Sequence, residues 1–516
     1  MSKSQRATQR IINLIQGGHL FEAEREARQL LSNHQDEAFY YLGIIALAQG
    51  KTDDSLKWYQ DAIARLPHRA DVAYNHGVAL QSCGHLDHAA NEWRRAITLN
   101  PRYEDAYFNL AIFFTQKGAA EDAEDMYRKL LAINPLHKQA TYNLGNLLYR
   151  TGRFVDAEAL YLQLLQAFPA YAPGWVNLSM VLTKQGRYAD AEKALRHVLS
   201  FDPHNIEAHW NLSHLLLRSH RWPEAWREYE WRRARKAFPR APLRVPDWDG
   251  HHEPARRLLL YNDQGLGDGV QFLRYATLLA EQGHTVWLLV QKELKNIAAT
   301  VPGIAGVVGP GDALPVVDAQ APLLSLPYLL SLNDSSPYWS GPYLFPRSKM
   351  ELPRSGNKMA IGLAWAGNPN NPTDASRSIS LRELKPIMTV PGIDWFSIQV
   401  GSPAAQIKDE GLSGHIHDLA PRLADYTDTA AAIAALDLVI AVDTSVLHVV
   451  GAIGRPVWGM LSPAHDWRWA GDSGASPWYP SLRLFRQKIP GDWQGVVNMI
   501  TDELTKSAQT LNTKEA

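Results

Sequence analysis

Three polar residues that could contact a ligand follow a short apolar run near the C-terminal end of the chain. Residues 438–442 read Leu-Val-Ile-Ala-Val, and Asp443, Thr444 and Ser445 come directly after them. The run predicts a buried strand, and the apolar residues at helical spacing behind it predict a helix. Ligands bind at the carboxyl ends of parallel strands, where amides at the start of the next helix attract anions such as phosphate. The three residues are therefore candidate ligand contacts; alternatively, Asp443 or Thr444 is only an N-cap.

A glycine-rich turn provides a second candidate. Residues 257–261 predict a strand, and the turn that begins at Gly265 leads into a predicted amphipathic helix that ends near Gly283. The turn does not match a dinucleotide fingerprint, because its third glycine comes too early and Asp268 would repel a pyrophosphate. Gly265 and Gly267 instead allow close backbone approach, and the Asp268 carboxylate can accept a proton from a hydroxyl held against it. Alternatively, Asp268 only caps its helix.

Two further candidates follow predicted strands of the C-terminal region. Arg377 is the cation of a small, polar loop over residues 367–378, which would point at the same cleft as Asp443. Gln399 lies at the end of another predicted strand, where its amide could contact a nucleotide base. The elements predicted here are, in order, a strand over 359–365, a helix from Ser380, a strand over 395–400, a helix over 429–436 and the strand over 438–442.

The first half of the chain is organised by a period of 34 residues. Such a period predicts a solenoid of helical pairs, in which small residues let two helices pack closely and a proline closes the second helix. The recurring small residues are Gly43, Gly77, Ala111, Gly145, Ser179 and Ser213, then Ser55, Ala89, Ala123, Ala157, Ala191 and Ala225; the aromatic residues are Tyr59, Trp93, Tyr127, Tyr161 and Tyr229; the prolines are Pro67, Pro101, Pro135, Pro169 and Pro203. The pattern resembles the tetratricopeptide repeat over roughly residues 5 to 235.

An asparagine also recurs every 34 residues, two positions before the first small residue of each repeat. The series is Asn75, Asn109, Asn143, Asn177 and Asn211. On a superhelix this register places one carboxamide per repeat along the inner face, where it can donate to and accept from a peptide backbone. The series therefore predicts a site for a polypeptide. Alternatively, each asparagine bonds the neighbouring helix and stabilises the array.

Composition limits the classes of partner. The net charge of -1 over 516 residues gives no electrostatic basis for binding nucleic acid or an anionic membrane. The single cysteine excludes an internal disulfide framework and fits a reducing compartment. Asp247 and Asp249 form an Asp-x-Asp that follows a proline instead of a strand, so no metal site is predicted. Without a signal-peptide pattern or an apolar run long enough to span a bilayer, we expect a cytoplasmic protein.

Six short motifs together resemble the bacterial tetratricopeptide-repeat glycosyltransferases. These enzymes are related to the heptosyltransferases, glycosyltransferase family 9, and more distantly to O-GlcNAc transferase. The motifs cover Gln264–Asp268, Gly362–Asn368, Arg377–Ile379, Asp443–His448, Asp466–Trp469 and Ser476–Pro480. The resemblance extends over nearly the whole chain. It implies a tetratricopeptide α-solenoid over residues 1–236, a Pro-rich connector over 237–255, and a two-lobed α/β unit of GT-B type with lobes over 256–356 and 357–516.

The resemblance also implies roles for individual residues. In heptosyltransferases the Gly-Asp turn supplies the base that deprotonates the acceptor, which corresponds to Asp268. Their Asp-Thr-Gly-x-x-His motif binds the sugar and diphosphate of the donor, which corresponds to Asp443, Thr444 and His448. This chain has Ser445 in place of the usual glycine, and Arg377 where a lysine commonly meets the diphosphate. Alternatively, His448 is a core histidine bonded to a carbonyl.

These observations predict an inverting, metal-independent glycosyltransferase. It would move a sugar from a nucleotide-sugar co-substrate to an acceptor that is a protein or peptide recruited by the repeats. No cofactor is expected. The tryptophans of the second half are expected to pack instead of binding sugar. The alternative, from another class of function, is a tetratricopeptide scaffold whose transferase unit is degenerate and does not catalyse.

Overall fold

The computed structural model describes residues 3–32, 36–239, 242–331, 338–371, 374–463, 465–471 and 473–515. Two residues of the polar loop before Arg377, at positions 372 and 373, and two of the predicted connector, at 240 and 241, lie outside this set. The chain divides into two compact units, Met1–Asp202 and Pro203–Ala516. Each unit is described by itself. The boundaries predicted at residues 236, 255 and 356 remain predictions.

The first unit is built of paired helices. In its described part the helices are α1 (Lys3–Gln16), α2 (Leu20–Ser32), α3 (Glu37–Ala48), α4 (Thr52–Arg65), α5 (Ala70–Ser82), α6 (Leu86–Leu99), α7 (Glu104–Lys117), α8 (Ala120–Ile133), α9 (Lys138–Arg150), α10 (Phe154–Ala167), α11 (Ala172–Lys184) and α12 (Tyr188–Phe201). Each proline of the 34-residue series lies two positions after the end of an even-numbered helix, as at Pro67 after Arg65. The missing amide of proline therefore falls where no helical bond is needed.

The small residues of the repeats make room for aromatic rings. A methyl group added at Gly77 would lie 2.5 Å from the indole nitrogen of Trp93, and one at Gly145 would lie 2.8 Å from the ring of Tyr161. Both rings are almost completely buried. In both repeats the two positions are sixteen residues apart, and the small residue packs against the aromatic ring of the paired helix.

The turn between the two helices of a repeat uses a left-handed residue. Gly50, Gly84, Gly118, Gly152 and Gly186, again 34 residues apart, have φ between 75° and 81°. Glycine adopts this conformation without steric cost. In the second unit the same register falls on His220, which has φ 58° and stacks on Trp222 with 5.0 Å between ring centroids.

The second unit combines one further helical pair with two parallel sheets. Its described helices are α13 (Ile206–Arg218), α14 (Trp222–Tyr229), α15 (Leu266–Phe272), α16 (Arg274–Glu281), α17 (Lys295–Ala298), α18 (Leu326–Leu329), α19 (Asp374–Arg377), α20 (Gln406–Asp409), α21 (Tyr426–Ala435), α22 (Ser445–Ile453) and α23 (Trp493–Glu515). The strands are β1 (Arg257–Tyr261), β2 (Thr285–Leu289), β3 (Gly306–Val308), β4 (Ala319–Pro322), β5 (Met359–Ala364), β6 (Ile393–Ser397), β7 (Ile416–Asp418), β8 (Leu438–Val442), β9 (Val457–Leu461) and β10 (Leu482–Arg486).

The order of the strands marks where a ligand could bind. One sheet has the order β3-β2-β1-β4 and the other β10-β9-β8-β5-β6-β7, and all pairs are parallel. The direction of winding reverses beside β1 in the first sheet and between β5 and β8 in the second. At such a switch point the loops after neighbouring strands diverge and leave a crevice. Asp268 follows β1, the loop with Arg377 follows β5, and Asp443 follows β8.

Several predicted elements differ from those observed. The helix predicted from Ser380 is absent; residues 381–384 form turns and a short 3-10 helix covers Lys385–Thr389. Pro386 has no amide to donate within an α-helix, while the amide of Leu381 donates to the side chain of Gln406 at 2.8 Å. The predicted strand over 395–400 begins and ends earlier, at Ile393–Ser397. No helix in the described part of the chain is both long and apolar enough to cross a membrane.

Candidate functional site

The glycine-rich turn and the start of α22 are in direct contact. A methyl group added at Gly267 would lie 3.0 Å from Cδ2 of His448 and 3.5 Å from Cα of Ser445. A side chain at position 267 would require its neighbours to shift. The structure therefore brings together the residues predicted after β1 and those predicted after β8, and we call the place where they meet the crevice.

Asp268 is held by two hydrogen bonds. Its Oδ2 accepts from the amide of Gly265 at 3.0 Å, and its Oδ1 accepts from the guanidinium of Arg468 at 2.5 Å. The side chain is 27% exposed. Burial raises the pKa of Asp268 above its usual value, and the positive charge of Arg468 only partly offsets this. Asp268 therefore does cap its turn, and it is also the carboxylate that lies beside a buried cation at the crevice.

Arg468 is a fixed cation. Its side chain is 7% exposed, and one terminal nitrogen donates to Oδ1 of Asp466 at 2.9 Å while Nε donates to Gln271. The guanidinium carbon lies 4.1 Å from the ring centroid of Trp467. Burial opposes the charge, but the carboxylates of Asp466 and Asp268 more than compensate and raise the pKa of Arg468 above its usual range. Arg468 therefore stays charged between two acids.

Asp443 is a second carboxyl group whose pKa is raised. Its Oδ1 accepts from the indole nitrogen of Trp469 at 2.7 Å. Burial and, next, the charge of Asp466 raise the pKa of Asp443 to about 6, although Arg377 and Arg468 act in the opposite direction. Asp443 does not cap α22; that role belongs to Thr444, whose hydroxyl accepts from the amide of Val446 at 3.3 Å. We call Asp268, Asp443 and Asp466 the carboxylate cluster.

Ser445 and His448 bond to tyrosines on neighbouring segments. The hydroxyl of Ser445 lies 2.6 Å from that of Tyr426, and Nδ1 of His448 lies 3.0 Å from the hydroxyl of Tyr479. His448 is 6% exposed, and burial lowers its pKa far below the usual value, so the ring is neutral. Its partner is a tyrosine hydroxyl and not the carbonyl of the alternative interpretation. His448 thus presents a neutral imidazole beside the glycine-rich turn.

Gln399 and Arg377 are placed differently from each other. Oε1 of Gln399 accepts from the amides of Trp365 and Ala366, each at 2.9 Å, and Nε2 donates to the carbonyl of Val400. Because the amide is occupied by main chain, this geometry favours a role in fixing the loop after β5 over the predicted contact with a nucleotide base. Arg377 lies near enough to Asp443 to influence its pKa, and its Nε donates to Asp374 at 3.3 Å.

The helical pair of the second unit supports the turn that carries Arg468. The indole of Trp226 lies 5.8 Å from that of Trp467 and 5.9 Å from the ring of Phe272. Arg218 donates to the carbonyl of His465 at 3.2 Å. Asp466 and Arg468 were absent from the predicted site, although the Asp-Trp-Arg-Trp string that contains them was recognised. No local pattern indicates the contact between Arg468 and Asp268, because Asp268 lies 200 residues earlier in the chain.

The asparagine series does not form one uniform ladder. Nδ2 of Asn75 donates to the hydroxyl of Tyr40 at 3.1 Å, and Nδ2 of Asn109 donates to that of Tyr74 at 3.2 Å. Each bond reaches back 35 residues to the preceding repeat, as the stabilising alternative requires. Asn211 lies half-buried on α13 in the second unit.

Two members of the series line a cavity of about 550 Å³ in the first unit. Nδ2 of Asn177 donates to Oδ1 of Asn146 at 2.6 Å, and Tyr161 donates to the same oxygen. The cavity is lined by Ile112, Thr115, Gln116, Tyr127, Asn143, Asn146, Leu147, Tyr149, Arg150, Tyr161, Asn177 and Met180. Amide, hydroxyl and apolar groups in one concave surface can bind the backbone and side chains of an extended polypeptide.

Metal-binding geometry is not found among the described residues. No group of three or more His, Cys, Asp or Glu side chains there is placed to hold a metal ion. Within the Asp-x-Asp, Asp247 pairs with Arg233, and Oδ1 of Asp249 accepts from the amide of His251 at 3.1 Å. These two carboxylates therefore serve local contacts.

Comparison with known proteins identifies the repeats. Two tetratricopeptide-repeat family models match the chain, the first over residues 9–70, 74–135 and 121–172 and the second over 182–229. Tetratricopeptide repeats therefore occupy roughly the first 230 residues. Among curated proteins, FlbA of Caulobacter vibrioides is 26% identical over 316 residues, which covers 54% of this chain and 52% of FlbA. The chain thus spans about half the length of this relative.

Among solved structures, part of this chain is similar to a tetratricopeptide-repeat protein. The C-terminal part of a repeat protein from Cytophaga hutchinsonii is 14% identical, with a TM-score of 0.40, and the match covers 44% of this chain and 94% of that one. PilF of Pseudomonas aeruginosa is 19% identical, with a TM-score of 0.36, and the match covers 40% of this chain and 94% of that one.

Proposed function

We propose that the second unit is an inverting, metal-independent glycosyltransferase of GT-B type that uses a nucleotide-sugar donor. The observation that carries the proposal is the meeting of two strand ends from two separate parallel sheets. Asp268 comes from the sheet that contains β1, and the segment Asp443–Ser445 comes from the sheet that contains β8. A crevice between two such sheets can hold an acceptor on one side and a donor on the other.

The proposed reaction is a single displacement. The acceptor hydroxyl lies against Asp268, and its oxygen attacks the anomeric carbon while the bond from that carbon to the diphosphate breaks on the opposite face. The electron pair of the breaking bond leaves with the diphosphate, and the proton of the hydroxyl passes to Asp268. Arg377 and the amides at the start of α22, near Thr444, stabilise the growing negative charge. Asp443 bonds a hydroxyl of the donor sugar.

The electrostatics of the crevice support this division of roles. A base works best when its pKa is not far below the working pH, and burial moves the pKa of Asp268 in that direction. Asp443, with a pKa of about 6, is mostly ionised at neutral pH and can accept a hydrogen bond from a hydroxyl of the donor sugar. Perturbed carboxyl groups that converge at strand ends are typical of catalytic sites.

The acceptor is proposed to be a protein or peptide that the tetratricopeptide repeats recruit. The cavity that contains Asn143 and Asn177 offers the groups for backbone recognition. The single cysteine fits a protein that works in a reducing compartment, and we propose the cytoplasm.

A second candidate function is a scaffold whose α/β unit binds without turnover. It is favoured by the occupied polar atoms of the crevice: Asp268 bonds Arg468 and Gly265, and the Gln399 amide is engaged by main chain. In a scaffold of this kind, the hydrogen bonds at the crevice stabilise the fold, and the repeats bind the protein partner.

Donor binding separates the two functions. The full chain is titrated calorimetrically with UDP-, GDP-, ADP- and CMP-sugars, and the same preparation is incubated with labelled donors and a protein extract. An enzyme binds one class of donor and labels an acceptor, and Asp443→Ala weakens that binding. Absence of binding and labelling over the whole panel would leave the scaffold function.

A further inference from the structure

We propose that Arg468 and Asp466 are positioning residues that act through Asp268: Arg468 aims its carboxylate, and Asp466 neutralises Arg468 once Asp268 has taken up a proton. The inference rests on the proposed function, in which Asp268 receives the proton of the acceptor. It assigns a role to Asp466 and Arg468, which lie in the Asp466–Trp469 motif but to which the resemblance gives no role.

The guanidinium of Arg468 is fixed on every edge. Its three nitrogens donate to three different side chains, those of Gln271, Asp268 and Asp466, and its face rests on Trp467. Turning toward another ligand would leave the buried side-chain oxygen of Gln271 without this donor and would break the ion pairs with Asp268 and Asp466, which is costly. Arg468 therefore holds the Asp268 carboxylate in one orientation and is not free to follow a departing diphosphate.

Asp268 still has capacity for an acceptor. Each of its two oxygens accepts one bond, from Gly265 and from Arg468, whereas an ionised carboxylate offers about four acceptor sites. The 27% exposure of the side chain leaves a direction of approach. The two existing bonds thus aim the carboxylate without consuming it.

Charge balance explains the presence of Asp466. Before transfer, Asp268 and Asp466 are negative and Arg468 is positive, so the three groups carry one net negative charge. After Asp268 accepts the proton, Arg468 is still paired with Asp466 and the group is neutral. Without Asp466, the same step would leave a buried arginine with no counterion, which is strongly unfavourable. Asp466 therefore makes proton uptake by Asp268 easier.

The other groups near Asp268 do not replace this pair. Asp263, in the loop after β1, raises the pKa of Asp268 less than Asp466 does. On α14, the hydroxyl of Tyr229 is buried and its pKa is raised above its usual value, so it stays neutral. On α22, His448 is neutral because burial lowers its pKa. Arg468 and Asp466 are consequently the two charges with the largest opposed effects on Asp268.

The first test is the pH dependence of kcat in the full chain, with a donor and acceptor that the parent protein turns over. Asp268 must be ionised to accept a proton, so kcat falls as the pH drops through its pKa. In Arg468→Met the lost positive charge shifts this acid limb to higher pH, and in Asp466→Asn the lost negative charge shifts it to lower pH, each by roughly one pH unit. Arg468→Lys restores part of the parent profile.

A matched control is the exposed pair Arg483–Glu503 of the same unit. Arg483→Met and Glu503→Gln change the same charges at a distance from the crevice, and both leave the acid limb in place. Limbs that stay in place, or that move in the same direction in Arg468→Met and Asp466→Asn, overturn the inference while the parent remains an enzyme.

A second test does not require turnover. Asp268→Asn imitates the protonated carboxyl, and its effect on Tm in the full chain should be small because Asp466 still balances Arg468. Combining it with Asp466→Asn should lower Tm by clearly more than the sum of the two single changes, and adding Arg468→Met should recover most of the loss. Additive effects overturn the charge compensation. If the unmodified protein turns over no donor, the proposed function is overturned instead. The Tm values of the single and combined variants then still decide whether Asp466 balances the charge of Arg468.

Discussion

The two units use charged residues in opposite ways. In the first unit, ion pairs lie on the surface and follow the repeat: Arg153 pairs with Glu124 at 2.8 Å, and 34 residues later Arg187 pairs with Glu158 at 2.6 Å. Both arginines are more than 40% exposed. Such pairs are screened by water and contribute little to stability. The interior of this unit is filled mainly by small, aliphatic and aromatic side chains.

In the second unit, Arg232, Arg274 and Arg468 are buried. Arg232 is 1% exposed and bonds Asp263 at 2.9 Å, and Arg468 lies between two carboxylates. Arg274, also buried, donates to main-chain carbonyls and is surrounded by the rings of Trp339, Tyr343, Trp478 and Tyr479. Burying a charge is unfavourable unless its partners are well placed. The periodic unit therefore keeps its ion pairs on the surface, whereas the aperiodic unit is built around particular buried polar groups.

The largest effect is expected from Asp268→Asn, which tests whether the polar groups of the second unit do chemistry. Turnover should fall roughly 10²- to 10⁴-fold, the usual contribution of a positioned base. Donor affinity should not change, because Asp268 is assigned to the acceptor. Transfer assays and donor calorimetry on the same preparation measure both. The exposed Asp249→Asn is the control, and full turnover in Asp268→Asn would refute the assignment.

The contrast between buried and exposed arginines can be tested directly. Arg232→Met leaves Asp263 and Glu230 without their buried partner and should lower the free energy of unfolding by roughly 3–5 kcal/mol. Arg187→Met, the matched change on the surface of the first unit, should have almost no effect. Chemical denaturation of both variants measures the free energy of unfolding. Equal decreases in the two variants would contradict the proposed difference between buried and exposed arginines.

Partner binding should depend on part of the asparagine series. Asn143→Ala with Asn177→Ala removes two amides of the first-unit cavity and should weaken binding of a verified protein acceptor roughly tenfold. Asn75→Ala with Asn109→Ala is the matched control, because those amides bond tyrosines of preceding repeats. Donor affinity should be unchanged in both. Equal losses of acceptor affinity in the two double variants would show that the asparagines stabilise the array and do not bind the acceptor directly.

The smallest effect concerns the repeat turn. Gly186 has φ 77° and no neighbouring atom that would obstruct a methyl group, so Gly186→Ala should cost only the backbone strain, roughly 1–2 kcal/mol. Gln185→Ala, one position earlier with φ -83°, should be close to neutral. Thermal unfolding distinguishes them. A neutral Gly186→Ala would show that the left-handed turn is not what the repeat requires.

The sequence predicts those parts of the fold in which a local pattern decides the structure. The strands at 257–261 and 438–442 lie where they were predicted, because an apolar run next to a turn is a local signal. The helix predicted from Ser380 does not form, because Pro386 has no amide to donate within an α-helix and the amide of Leu381 donates to the side chain of Gln406. The helical repeats follow from a period that holds over several copies.

The candidate site was predicted only in part for a physical reason. Asp268 and Asp443 each follow a strand, so their place at a sheet edge could be deduced. Arg468 and Asp466 could not be assigned in the same way, since the ion pair that connects them to the crevice joins Arg468 to Asp268, 200 residues earlier in the chain. The amide of Gln399 could reach either a ligand or the main chain from the same strand end, and only the folded loop decides between them.

The division of the chain at Asp202 has a practical meaning for engineering. The pair α13–α14 belongs by sequence to the tetratricopeptide series, yet it clusters with the α/β part, where Trp226 packs on Trp467 and Arg232 bonds Asp263. A chimera joined after residue 236 would exchange these side chains together with the repeats and disturb the turn that carries Arg468. A chimera joined at residues 202 and 203 would replace the repeats of the first unit and keep the contacts of Trp226 with Trp467 and of Arg232 with Asp263.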